Sequence, residues 1–147
     1  MTGAVAPSPA PLPAKLVLFD GVCGFCDRLV RALVRADPER RLRYAPLQGD
    51  TAAALRIRHP EIPDSIDTLV YVESDASGER VFLYSSGIFR IAAQLRGPLR
   101  WFSWLRILPR PLADTAYRLF LRHRYRIFGR LDECRLPDAA ERELFLP

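Results

Sequence analysis

Leu16 to Phe19 form an unbroken apolar run that stops at Asp20 and Gly21, the pattern of a central strand buried on both faces. Leu29, Val30, Leu33 and Val34 then recur at helical spacing with Arg28, Arg31 and Arg35 on the other side, which predicts a helix. Asp37-Pro38 ends it, because proline disfavours helical geometry in the residue before it. Leu42 to Ala45 alternates over a short span and reads as a second strand, closed by Pro46. Asp50 is placed to cap a helix through the alanine-rich Thr51 to Arg58, and Pro60 and Pro63 bound the loop after it. Thr68 to Glu73 is the strongest strand pattern in the chain; Ser74 to Gly78 turn it and Val81 to Tyr84 complete a β-hairpin. Ser85 or Ser86 then caps a helix carrying Ile88, Phe89, Ile91, Ala92 and Leu95, which Gly97-Pro98 stops.

The predicted order is strand, helix, strand, helix, strand, strand, helix. Helical crossovers make the first three strands parallel, with right-handed connections, and the hairpin adds an antiparallel edge. The class is α/β, with the element order of a thioredoxin-like fold: a mixed four-stranded sheet with flanking helices plus a helical C-terminal extension. In that extension Trp101 to Leu108 carries Trp101, Phe102, Trp104, Leu105 and Leu108, and Pro109-Arg110-Pro111 breaks it. Leu112, Ala116, Leu119, Phe120 and His123 then fall on one face of a second helix. The stretch from Arg124 to Pro147 either wraps back on the domain or hangs free. The expected organisation is a disordered leader over 1–14, a domain over 15–136 with its core at 15–97 and its extension at 98–136, and a tail over 137–147.

The length of 147 residues suits one domain with a core of its own, so no disulfide staple is required. Three cysteines, an odd number, do not make the framework of a small secreted protein. Met1 to Ala14 is small and proline-rich and lacks the basic start and apolar run of a secretory signal, and arginines interrupt every candidate membrane span. These features predict a cytoplasmic domain. The net charge of +5 is unevenly placed: residues 97 to 130 carry 8 basic and 1 acidic side chains, whereas residues 1 to 96 carry 12 and 11.

Two cysteines with two residues between them, Cys23 and Cys26, stand where the first strand gives way to the first helix. In an intracellular α/β chain that placement reads as a redox motif. A thiolate attacks disulfides, and a helix N-terminus favours a negative sulfur through its free N–H groups and dipole. Cys23 is expected to be exposed there, with Cys26 one turn later, more buried, and close enough to resolve a mixed disulfide. Inert packing or half of a zinc site are the alternatives, and zinc would have to find its other ligands among Cys134, His59, His123 and carboxylates, with no second close-spaced pair. Asp20, at the strand end, either moves the proton of the resolving thiol or accepts backbone N–H bonds from the turn at Gly21 and Val22. Cys134 is either a third redox cysteine or a small packed hydrophobe. His123 belongs to packing or surface rather than catalysis. The basic aromatic segment from Leu99 to Arg130 fits an interfacial membrane helix, a nucleic-acid surface or a docking face; otherwise its aromatics cover the sheet and its arginines are solvated.

Three separate stretches carry a family resemblance: Val17 to Cys26, including Asp20, Cys23 and Cys26 as DxxCxxC; Tyr44-Ala45-Pro46-Leu47-Gln48; and Arg124-Tyr125-Arg126-Ile127-Phe128-Gly129-Arg130 ahead of Cys134. In that order they resemble the DCC family of predicted thiol-disulfide oxidoreductases, from about Lys15 to Leu136. The resemblance implies a thioredoxin-like fold and a redox role for Asp20, Cys23 and Cys26. Phe19-Asp20-Gly21 also resembles the nucleophile motif of haloacid-dehalogenase-type phosphatases, but Val22 stands where those enzymes carry a second aspartate. Thioredoxins place a cis-proline before the strand facing the CxxC; here the strand begins Asp67-Thr68-Leu69 and the nearest proline is Pro63, so Thr68 or Asp67 is expected at that position.

The expected function is therefore a thiol-disulfide oxidoreductase. Cys23, Cys26 and Asp20 are its catalytic residues, Cys134, Thr68, Arg124 and Tyr125 are accessory candidates, and no cofactor or metal is required. Its substrate would be a disulfide-containing protein or a small thiol. Membrane or protein docking through Leu99 to Arg130 is the second expectation, from a non-catalytic module, and nucleic acid is not an expected partner.

Overall fold

The computed structural model describes residues 11–62, 69–129 and 138–147. Its elements follow in the order β1 (Lys15–Phe19), α1 (Gly24–Ala36), β2 (Arg43–Pro46), α2 (Asp50–Arg58), β3 (Val70–Asp75), β4 (Gly78–Leu83) and α3 (Tyr84–Gln94). A 3₁₀ helix (Pro98–Ile107), α4 (Arg110–Phe128) and a last 3₁₀ turn (Arg142–Leu144) complete the chain.

The four strands make one mixed sheet in the order β2-β1-β3-β4. β1 and β2 are parallel, with Leu16 beside Arg43 and Leu18 beside Ala45. β3 runs antiparallel to β1, with Lys15 beside Glu73 and Leu18 beside Val70, which corrects the expectation of three parallel strands. The reason lies in where the chain rejoins the sheet: Val70 enters beside the end of β1, so β3 must run back along it. β3 and β4 form the expected hairpin, closed between Asp75 and Gly78.

Alternation along the strands divides the core in two. Val17, Phe19, Tyr44 and Tyr71 face Val30 and Leu33 of α1 and Ile91 of α3. Leu16, Leu18, Ala45, Val70 and Val72 face Ala52 and Leu55 of α2. The helix starts differ from the expected caps. Gly49 is the N-cap of α2 and Asp50 its first residue. β4 runs straight into α3, so Leu83 is the N-cap; Ser85 and Ser86 fall in the first turn, where Ser86 Oγ donates to the Leu83 carbonyl at 2.6 Å.

The last ten residues wrap back on the domain. Phe145 bridges to Tyr44 on the free side of β2, and the Leu146 amide donates to the Tyr44 carbonyl at 2.7 Å. The Thr51 amide, in the first turn of α2, donates to the Pro147 oxygen at 2.9 Å. This segment covers part of a strand edge that would otherwise present unpaired backbone groups. Leu144 is buried in the same core as the cysteines, at 2% exposure. Leu144→Ala is expected to cost about 2–5 kcal/mol, the range for an unfilled leucine cavity, measured by urea unfolding. A loss below about 1 kcal/mol would mean that the segment is only loosely held.

The extension departs most from expectation. Residues 98–107 form a 3₁₀ helix and leave Trp101 78% and Trp104 73% exposed, so these rings do not cover the sheet. On α4 four members of the expected packed stripe, Leu112, Ala116, Leu119 and His123, are exposed, and of the five only Phe120 turns to the domain. The side turned to the domain instead carries Tyr117, Phe120, Leu121, Arg124, Tyr125 and Phe128. The helix has two apolar stripes, and contacts with Asp20 and Phe25 decide which one is covered.

Candidate active site

β1 is central and buried, and it delivers Asp20 at its end with 2% of its surface exposed. The chain turns through Gly21 and Val22, the Cys23 amide donates to the Asp20 carbonyl at 3.3 Å, and Cys23 becomes the N-cap of α1 in extended geometry. Cys26 sits in the first turn of that helix. Both thiols are free, and Cys23 and Cys26 are 0% and 3% exposed. The expected exposure of Cys23 is thus corrected. The end of α4 lies against the next residue: a Cβ on Gly24 would stand 2.9 Å from the Phe128 carbonyl oxygen and 3.5 Å from that of Gly129. The Phe25 ring packs at 4.8 Å, centroid to centroid, against each of Phe120 and Phe128. Gly24 therefore has a steric requirement. Gly24→Ala pushes on backbone rather than on a movable side chain, and is expected to cost about 1–3 kcal/mol. Chemical unfolding measures the loss, and a cost within about 0.5 kcal/mol would show that the α4 end yields to the added methyl.

The Asp20 carboxylate gathers four donors. Oδ1 accepts from the Val22 amide at 3.1 Å and from Gln48 Nε2 at 2.9 Å. Oδ2 accepts from Arg124 Nη2 at 3.0 Å and from the Tyr125 hydroxyl. Gln48 Oε1 also accepts from the Gly21 amide at 3.2 Å, so the residue ties the turn to the carboxylate. Arg124 is 1% exposed; its Nη1 lies 3.9 Å from Cys26 Sγ and its Nη2 donates to the Tyr125 hydroxyl at 2.9 Å. A buried charge is tolerable only when paired and hydrogen-bonded, and here each of the two ions supplies the other's partner.

These contacts set the thiol chemistry. Cys23 is lowered to about 6, first by the hydrogen bond from the Cys26 thiol and then, against the cost of burial, by backbone N–H groups and the Arg124 charge. Cys26 moves strongly upward, because its proton is held by Cys23 and because it is buried. Burial and the bond to Asp20 push Tyr125 up to about 12. A low-pKa first cysteine and a protonated second one are the pairing that disulfide exchange uses.

Of the residues singled out in the sequence, Asp20, Cys23, Cys26, Arg124 and Tyr125 come together here. Cys134, Thr68, Asp67 and Pro63 lie outside the described residues. The position directly before β3 is Leu69, whose amide donates to the Tyr117 hydroxyl at 3.4 Å. Gln48 had not been assigned a part, although it closes the Tyr44 to Gln48 stretch. Among the described residues no group of three or more His, Cys, Asp or Glu side chains is placed to hold a metal ion.

A mixed four-stranded sheet flanked by helices, with a free CxxC at the junction of its first strand and first helix, defines a thioredoxin-like thiol-disulfide protein. The chain belongs to the DCC1-like thiol-disulfide oxidoreductase family, whose model matches residues 17–130. It is 31% identical over 136 residues to the uncharacterised protein YuxK of Bacillus subtilis (strain 168), a match covering 92% of this chain and 96% of that one. It is also 31% identical over 122 residues to a chloroplastic DCC family protein of Arabidopsis thaliana, covering 82% of this chain and 69% of the other. No solved structure matches it significantly. No helix among the described residues is long and apolar enough to cross a membrane.

Proposed function

We propose that the protein exchanges disulfides through Cys23 and Cys26. The observation that carries this reading is a pair of free thiols one turn apart at the start of α1, with a buried guanidinium 3.9 Å from the second sulfur. The Cys23 thiolate attacks one sulfur of a substrate disulfide, forming a mixed disulfide and releasing a substrate thiolate. Cys26 then gives up its proton, which ends on a released substrate thiolate, and attacks Cys23 Sγ. The mixed disulfide breaks, the second substrate thiolate leaves and is protonated, and the protein holds Cys23–Cys26. Two electrons pass to the substrate, with one proton from Cys26 and one from solvent; the reverse sequence oxidises a dithiol. No cofactor is needed for either direction.

Asp20 has all four acceptor positions occupied and an arginine counter-ion, which favours a positioning part over that of a free proton acceptor. In this reading it holds Arg124 where the guanidinium stabilises the Cys26 thiolate as it forms, and Tyr125 and Gln48 hold Asp20. Because Cys23 has no exposed surface, part of its cover must move to admit the substrate.

Cys26→Ala should accumulate a mixed disulfide between Cys23 and its substrate, visible by thiol mass spectrometry and lost in Cys23→Ser. Redox titration of the unaltered protein should give a reversible Cys23–Cys26 disulfide. A pair that never closes between roughly −350 and −100 mV, the span of biological dithiols, would overturn the proposal.

A further inference from the structure

Nine large apolar side chains of the extension stand in solvent: Trp101, Phe102, Trp104, Leu105, Ile107, Leu108, Leu112, Leu119 and Ile127. Outside this segment Ile57 is the one other described residue of that kind. Phe102 of the 3₁₀ helix and the domain-facing Tyr117 and Phe120 of α4 wall one apolar cavity of about 350 Å³. Arg100, Arg106, Arg110, Arg118, Arg122 and Arg126 are interleaved with these apolar residues, and all six are exposed. None of them forms an ion pair among the described residues. The segment's one carboxylate, Asp114, is engaged by the Ser85 hydroxyl.

We propose that this face seats on an anionic lipid bilayer, with α4 lying in the plane of the membrane surface. Three features select lipid over a protein partner. The charge interleaved with the apolar residues is almost wholly of one sign, six exposed arginines against Asp114, which suits a surface of anionic headgroups. Arginine stems can lie along acyl chains while their heads reach lipid phosphates, and tryptophan favours the same depth. α4 spans 19 residues, about 28 Å at the helical rise, long enough to lie along the interface. Docking of this kind is independent of the thiol chemistry.

Trp101 and Trp104 are the only two tryptophans of the chain, so its intrinsic fluorescence reports on this face alone. With the full chain and vesicles of phosphatidylglycerol and phosphatidylcholine, the emission should shift to the blue and be quenched by brominated acyl chains. Pure phosphatidylcholine should bind at least about tenfold more weakly, and raised salt should weaken binding to the anionic vesicles. In flotation assays, Trp101→Ser/Trp104→Ser and Arg122→Gln/Arg126→Gln should each lose about tenfold or more in vesicle partitioning. Absence of quenching by any vesicle would overturn the proposal. So would a blue shift that follows protein concentration without lipid, which would make the face a contact between two copies. Saturable binding of a protein partner with no vesicle binding would overturn it as well.

Discussion

Arg124→Met is expected to lower stability by about 3–5 kcal/mol, because it leaves the Asp20 carboxylate charged, buried and without its counter-ion. Both members of the pair are almost wholly enclosed, at 1% and 3% side-chain exposure, so water cannot take over from the missing guanidinium. For a domain of this size such a loss lowers the melting temperature by roughly 10–15 °C. The double variant Asp20→Asn/Arg124→Met should recover part of the deficit, since the unpaired charge has gone, and a double-mutant cycle isolates that coupling. A structural role alone would leave the thiols untouched. The proposed positioning role adds that Arg124→Met raises the pKa of Cys23, whose thiolate depends first on the Cys26 hydrogen bond and also on the Arg124 charge. A stability loss below about 1 kcal/mol would show that the pair is solvated; a large loss with an unmoved Cys23 would sever Arg124 from the redox chemistry.

Much of the site was legible because it is local. The apolar run before Asp20 and the helical spacing after Cys26 place the pair at a strand-to-helix junction within a dozen residues. What was not legible depends on chain segments far away. Gly24 looks like one more flexible position until Phe128 and Gly129 are seen lying on it. The direction of β3 depends on which end of β1 the chain returns to, which no local pattern encodes. On α4, counting apolar residues favours the stripe through Leu112 and Leu119, yet the covered stripe carries Arg124, because pairing with Asp20 offsets the cost of burying a guanidinium. Arg124 and Tyr125 entered the site only through the resemblance of their stretch, whose ordinary arginine-rich composition gave no sign that one arginine is buried. Gln48 was missed because a glutamine after a proline carries no chemical signature, although it bonds both the turn and the carboxylate.

Cys26→Ala and Cys26→Ser are expected to separate the two thiols by their pH profiles. In the unaltered reduced protein the rate of Cys23 alkylation, normalised to its value at high pH, should titrate near 6, well below the ordinary thiol value of 9.0. The first cause is the hydrogen bond donated by the Cys26 thiol, so alanine, which cannot donate, should move the midpoint upward by more than one unit. Serine keeps a donor at the same place and should hold the midpoint between the other two. Stability gives an independent reading through linkage. The folded pKa of Cys23 is depressed, so its thiolate stabilises the reduced fold fully above about 9, and that contribution falls away as pH drops through about 6. Cys26 has the opposite sign: its raised pKa stabilises the fold below the ordinary thiol value and loses that contribution as pH rises beyond it. Reduced wild type should therefore gain stability relative to Cys23→Ala between pH 6 and 9, with the gain shrinking in more alkaline solution as the buried Cys26 proton becomes the liability. Equal slopes for the two proteins across that window would mean that Cys23 is a neutral buried thiol, and the case for its nucleophilic part would go with it.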